Sequence, residues 1–150
     1  MQQGGVGVDR VPTGYYRAKL AAEQVIDGVG LPLTIQRFTQ FHCFLAELFS
    51  WHLFGMVIVP RGWRFQPVDE NAVAEALVER IAAGPVGRAQ DVGGPEVLDL
   101  AEVARVLFRR PIALPIPGSM SGRVRAGTLC CPEGGRRGRS FAAWCRDRPK

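Results

Sequence analysis

Apolar positions along the chain fall into short runs of two periods. Val6-Gly7-Val8-Asp9 reads as the end of a buried strand running into a loop. A helix should follow from Thr13, its N-cap, to about Asp27, with Gly28 or Gly30 making the C-terminal turn. Ala18, Ala21, Ala22 and Val25 recur at helical spacing and predict a small-residue stripe lying close against a sheet. Residues 33–38 read as a strand, 41–54 as an apolar helix and 56–59 as a short buried strand. Asp69 should cap a helix over 70–83, stapled by Val68 and Val73, with Val73, Leu77 and Ile81 buried and Gly84-Pro85 as the stop. Residues 89–97 read as extended, with a turn at Gly93-Gly94-Pro95. Asp99 and Glu102 have capping-box spacing, stapled by Leu98 and Val103, for a helix ending near Arg109. Strands alternating with helices in this way predict an α/β fold with a largely parallel sheet.

Residues 41–60 are apolar enough to raise the question of a membrane span. His42, Glu47, Ser50 and His52 interrupt them, and a mid-span glutamate is expensive in hydrocarbon, so a buried helix and strand explain the run better. The whole composition, 47% hydrophobic and 22% charged, is that of a soluble globular protein of 150 residues. The first nine residues have neither the basic nor the apolar region of a secretion signal. Cys43, Cys130, Cys131 and Cys145 form no Cys-x-x-Cys pair, and His42 and His52 close no metal site with them. Free thiols in a reducing cytoplasm are the expectation, with no metal.

Charge is uneven. Residues 1–100 carry 8 basic and 11 acidic side chains, and residues 101–150 carry 11 and 3, so the net charge of +5 comes from the end of the chain. Nucleic acid would want aromatics interleaved with a basic groove. Arg136-Arg137-Gly138-Arg139 instead leads into a short helix over 141–146, which predicts a solvated terminal element. The organisation expected is therefore a domain over 1–118 and a basic tail with a short helix over 119–150, binding neither nucleic acid nor membrane. His42, His52 and Cys43 read as packing residues, Trp51 as a core or substrate-lid residue, and Trp63 and Phe65 as candidates for shaping a pocket.

The chemistry that stands out is Tyr15 and Lys19, four apart and so one turn apart on one helix face. A free phenol titrates at about pH 10, too high for ready proton exchange at neutral pH. A neighbouring ammonium stabilises the phenolate, which suits it to general acid–base work. The same ammonium can donate to the hydroxyls of a ribose.

Around that pair, Tyr15-Tyr16-Arg17-Ala18-Lys19-Leu20-Ala21-Ala22-Glu23 follows Gly7-Val8-Asp9-Arg10-Val11-Pro12 and precedes Leu31-Pro32-Leu33-Thr34-Ile35-Gln36-Arg37-Phe38-Thr39-Gln40-Phe41. This run resembles the short-chain dehydrogenase/reductase superfamily and, more narrowly, its atypical NmrA-like, NAD(P)H-binding branch. Phe65-Gln66-Pro67-Val68-Asp69 and Gly93-Gly94-Pro95-Glu96-Val97-Leu98 resemble later segments of that branch. The resemblance implies the C-terminal half of a Rossmann-like, doubly wound parallel sheet with a small substrate-side helical region. It implies Tyr15 as the proton donor or acceptor, Lys19 on the nicotinamide ribose of NAD or NADP, and a small-molecule substrate. Thr39, Gln40 and Phe41, just past the carboxyl end of a strand, read either as nicotinamide-side contacts or as a simple loop or helix cap.

No glycine-rich turn of the Gly-x-Gly-x-x-Gly type leads from a strand into a helix here, and no hydroxyl stands ahead of Thr13 to orient a substrate carbonyl. The expectation is therefore a truncated NAD(P)-dependent oxidoreductase. An NmrA-like cofactor sensor without turnover and a non-catalytic fragment stay open beside it. The first strand would be an open sheet edge, so a homo-oligomer or a partner covering it is also expected.

Overall fold

The structure is a computed structural model that describes residues 1–11, 13–49, 56–108, 110–131 and 133–147. Trp51, His52 and the last turn of the helix expected to reach Phe54 lie outside the described residues.

The chain opens with a β–α–β unit: β1 (Gln2–Gly5), α1 (Gly14–Asp27) and β2 (Thr34–Phe38). The segment from Val6, expected as the strand's end, is instead the turn that follows it. Gly7 sits there at φ 79°, and a Cβ on it would lie 2.6 Å from the Thr128 carbonyl oxygen, so only glycine fits. Thr13 caps α1 as expected, its Oγ1 accepting from the Tyr16 N–H at 3.2 Å. There follow α2 (His42–Leu48), β3 (Met56–Pro60), β4 (Arg64–Phe65), α3 (Glu70–Ala83), β5 (Gly87–Arg88), β6 (Val92–Gly93) and β7 (Leu98–Asp99). The remainder is α4 (Leu100–Leu107), β8 (Arg110–Leu114), α5 (Ser119–Arg125), β9 (Gly135–Arg136) and α6 (Phe141–Asp147).

The main sheet runs β1-β2-β6-β9 with β5 also on β2, and every pairing in it is parallel. Among the described residues β1 pairs only with β2, so its other edge is open. Beside this sheet β3 and β8 form a parallel pair, and β4 and β7 an antiparallel one. The α/β class and parallel sheet read from the strand–helix alternation are those observed.

Two caps stand as expected. Asp69 accepts from the Asn71 N–H at 3.0 Å. Asp99 accepts from Ala101 at 2.7 Å while Glu102 reaches back to the Asp99 N–H at 2.7 Å, a complete capping box. Phe38, Val68, Val73, Ala76 and Val92 form a core between α3 and the sheet. A larger core gathers Leu45, Phe49, Val57, Val59, Phe65, Leu100, Val103, Val124, Leu129 and Phe141.

Three expectations of burial fail. On α1 the face turned to the sheet is not the alanine stripe: Ala18, Ala21 and Ala22 are exposed, and Val25 is 70% exposed. Glu23 is buried instead, because Arg37 on β2 holds its carboxylate with three hydrogen bonds of 2.6 to 3.1 Å. A buried carboxylate must keep a partner, so this ion pair sets the helix rotation. On α3, Ile81 faces solvent at 67% exposure, since Ala72, Val73 and Ala76 supply the contact with the sheet. The third correction concerns the end of the chain. The described residues of 119–147 are not a solvated element: β9 extends the main sheet, Phe141 is fully buried, and Arg139 donates to Asp69 at 2.6 Å. Two of their arginines are spent on carboxylates of the body, Arg139 on Asp69 and Arg137 forking onto Glu79 at 2.6 and 2.8 Å.

Candidate active site

In an open parallel sheet, ligands bind beyond the carboxyl ends of the strands. Here those ends carry the turn after β1, the first turn of α1, and the segment Thr39-Gln40-Phe41 after β2.

Tyr15 and Lys19 share one face of α1, and the Lys19 Nζ lies 5.8 Å from the centroid of the Tyr15 ring, within cation–π range. Tyr15 is 67% exposed and Lys19 half-buried, so both remain open to a ligand. The pair predicted from spacing alone is therefore a physical pair.

Tyr16, its neighbour, behaves differently. Its ring lies 5.6 Å from that of Tyr15, but its side is turned inward onto the larger core. Burial raises its pKa above the ordinary tyrosine value, with a hydrogen bond from Gln40 working the other way. Leu20, not a lysine, stands one turn further on, so Tyr16 has no ammonium at the spacing Tyr15 enjoys. Tyr16 stays a neutral phenol that ties α1 to Gln40. Sequence reasoning passed over it, although two adjacent tyrosines on a helix must point about 100° apart.

The three residues after β2 divide their roles. Thr39 is buried, and its hydroxyl donates to the Gln66 carbonyl. Phe41 forms a parallel bridge with Val68 and packs on the α3 core. Gln40 is half-buried; its Nε2 donates to the Leu129 carbonyl at 3.3 Å, and its buried Oε1 has no hydrogen-bond partner among the described residues. Of the three, Gln40 is the one beside Tyr16 and the one with acceptor capacity unspent.

Behind them lies a hub that the sequence did not announce. Gln66 is fully buried; its Nε2 donates to the Gly94 carbonyl at 2.9 Å and its Oε1 accepts from the Cys131 N–H at 2.7 Å. Gly94 packs so closely on Pro67 that a Cβ would lie 1.7 Å from its carbonyl oxygen. The polar Gln66 between Phe65 and Pro67 in an apolar run was the available signal.

Other candidates are accounted for by packing. His42 is fully buried between Phe141 and Trp144, with Nε2 3.1 Å from the Arg139 carbonyl, and burial lowers its pKa. Trp63 donates to the Ser121 hydroxyl at 2.8 Å, and Phe65 lies in the larger core. Burial pushes the thiols of Cys43 and Cys130 up to about 11 and that of Cys131 up to about 12, which keeps them protonated and poor nucleophiles. Among the described residues no group of three His, Cys, Asp or Glu side chains could hold a metal ion, and no helix is long and apolar enough to cross a membrane.

No family model and no curated protein matches the chain. Solved structures do. The UDP-N-acetylglucosamine 4-epimerase from Bacillus cereus is similar over 94% of this chain, with a TM-score of 0.56 and 14% identity. TunA, an NAD-dependent NDP-hexosamine 5,6-dehydratase of tunicamycin biosynthesis, is similar over 98% of it, with a TM-score of 0.58 and 16% identity. The chain spans 60% and 63% of the lengths of those two proteins. At such identities the likeness is one of fold: this is part of a Rossmann-like α/β fold, built on a parallel sheet.

Proposed function

We propose that this chain is the substrate-side part of an NAD(P)-dependent oxidoreductase of the short-chain dehydrogenase/reductase type, of the NmrA-like branch. The observation that carries the reading is the exposed Tyr15 with the Lys19 ammonium 5.8 Å from its ring centroid, on a helix between two parallel strands. The resemblance of the flanking residues to that branch, and a Rossmann-like fold shared with an NAD-dependent dehydratase, support it.

The residues fit one end of a dinucleotide. Lys19, half-buried and one turn from Tyr15, suits the hydroxyls of the nicotinamide ribose, and Gln40, with its spare Oε1, suits the carboxamide side. They do not fit the pyrophosphate: after β1 the helix opens only at Gly14, so no run of backbone N–H groups at a helix start faces a glycine turn. Hydride transfer is what the nicotinamide supplies when bound. Tyr15 passes the proton, to a carbonyl oxygen in one direction and from an alcohol in the other. Lys19, on the same helix face, orients the ribose. Tyr16 and Thr39 hold the helix and the strand end in place from behind.

The phosphate-binding segment then belongs on the open edge of β1, against the exposed Ala18, Ala21, Ala22 and Val25 of α1. It is supplied by a longer chain or by a partner, since a second copy of this chain covers the edge without bringing such a segment.

Turnover of carbonyl substrates by the protein joined to such a segment tests the assignment. Tyr15→Phe should lower kcat by about 10²–10⁴-fold, the usual worth of a positioned acid–base group, and leave NADH or NADPH affinity unchanged by calorimetry. Lys19→Met should weaken cofactor binding as well. Unchanged kcat in Tyr15→Phe would remove Tyr15 from the chemistry. Cofactor-dependent capture of a protein partner with no turnover would favour the sensing role instead.

A further inference from the structure

The cleft between the second half of α3 and the strands β2, β6 and β9 has a volume of about 260 Å³ and is lined by Gln36, Glu79, Arg80, Gln90, Val92 and Arg137 among others. It lies across the sheet from Tyr15 and Lys19. Side chains alternate along a strand, and on β2 Arg37 points to Glu23 of α1 while Gln36 lines this cleft under α3.

Its polar groups are unevenly satisfied. Arg137 is held by the Glu79 carboxylate at 2.6 and 2.8 Å. Gln36, only 2% exposed, donates its Nε2 to the Gln90 carbonyl. Arg80 is less well served: among the described residues its buried Nε has no hydrogen-bond acceptor and it makes no salt bridge, and the nearby charge of Glu79 is already shared with Arg137. A buried donor on a cation is costly to leave unpaired, and a guanidinium has donors only. With two arginines against one glutamate, the lining carries a net positive charge. The volume is below that of pockets for drug-sized molecules, so the occupant is small.

We propose that this cleft binds a small oxyanion, a phosphate or a short carboxylate, which accepts from the Arg80 Nε and shares Arg137 with Glu79. The site is separate from the Tyr15–Lys19 chemistry, so it stands or falls independently of the oxidoreductase reading.

Calorimetry of the full chain with inorganic phosphate and with malonate, at matched ionic strength against chloride, tests this and separates the two anion types. Saturable binding of at least one is expected. Arg80→Gln should lose about tenfold or more in affinity, the scale of one charge-assisted hydrogen bond. Glu79→Gln, at a side chain 59% exposed and so safe for folding, should bind more tightly because the competing carboxylate is gone. Circular dichroism checks that each variant is folded. Failure of both anions to bind, or Glu79→Gln binding no more tightly than the unaltered chain, overturns the proposal. So does a folded Arg80→Gln that binds as the unaltered chain does.

Discussion

At the scale of the residue, the balance between burial and pairing decides what each polar side chain does. Glu23 and Lys19 lie one turn apart on α1, yet one is sealed against Arg37 and the other left open. Burial works against the Arg37 charge, but hydrogen bonding and attraction from Glu23, with Asp9 beyond, still raise its pKa. His42 shows the opposite outcome. Burial lowers its pKa, a hydrogen bond to the Arg139 carbonyl and the charges of Glu70 and Asp69 only partly oppose this, and Arg139 adds to it. The unfolded chain therefore takes up this proton at about pH 6.5, while the folded one resists until the pH is lower. Stability from this residue is full above that pH and declines as the pH falls below it, levelling once the folded-state pKa is passed. Urea midpoints at pH 7.5 and 5.5 should fall for the unaltered protein, and fall less for His42→Gln. Equal slopes would show that His42 does not carry the effect. The identity of these residues was readable in advance, and so was the Tyr15–Lys19 pair, because four residues on a helix is a local distance. The environment of Glu23 was not, since its partner is fourteen residues away on another element.

At the scale of the element, local chemistry was the reliable guide. Helices α1, α3 and α4 begin at Thr13, Asp69 and Asp99 because each side-chain oxygen accepts from an N–H two or three residues on, a relation written within four positions of sequence. Asp99→Ala should cost about 1 kcal/mol, as loss of a good N-cap does, and lower the urea midpoint without changing the slope. A midpoint equal to that of the unaltered protein would mean that α4 is held by packing alone. The two-residue strands β4, β5, β6, β7 and β9 were beyond such reading, because so short a strand exists only through the partner that pairs with it. The same holds for the rotation of α1. Its alanine stripe fits a sheet as well as the observed face does, and the Arg37 ion pair broke the tie.

At the scale of the whole molecule, the end of the chain closes the fold. Phe141 is fully buried against the larger core, stacked on Trp144 at 5.9 Å and edge-on to His42 at 5.4 Å. Phe141→Ala should cost about 3–5 kcal/mol, the range for a large side chain removed from a packed core. Denaturant unfolding is the check; a change below about 1 kcal/mol would mean that this segment is detachable, as its composition first suggested. The basic character that suggested a solvated tail turned out to serve pairing, through Arg137 with Glu79 and Arg139 with Asp69 and Asp147.

The sequence by itself determined the α/β class, the starts of α1, α3 and α4 and the Tyr15–Lys19 pair, because each rests on periodicity or on contacts within one helical turn. Tertiary structure alone decided which face of α1 is buried, that Gln66 and the Gly93-Gly94 turn form a hub, that Val124, Leu129 and Phe141 near the end of the chain belong to the core, and that the Arg80 Nε lies buried without an acceptor among the described residues. Those outcomes depend on groups far apart along the chain, whose meeting is settled by desolvation and packing rather than by any local pattern.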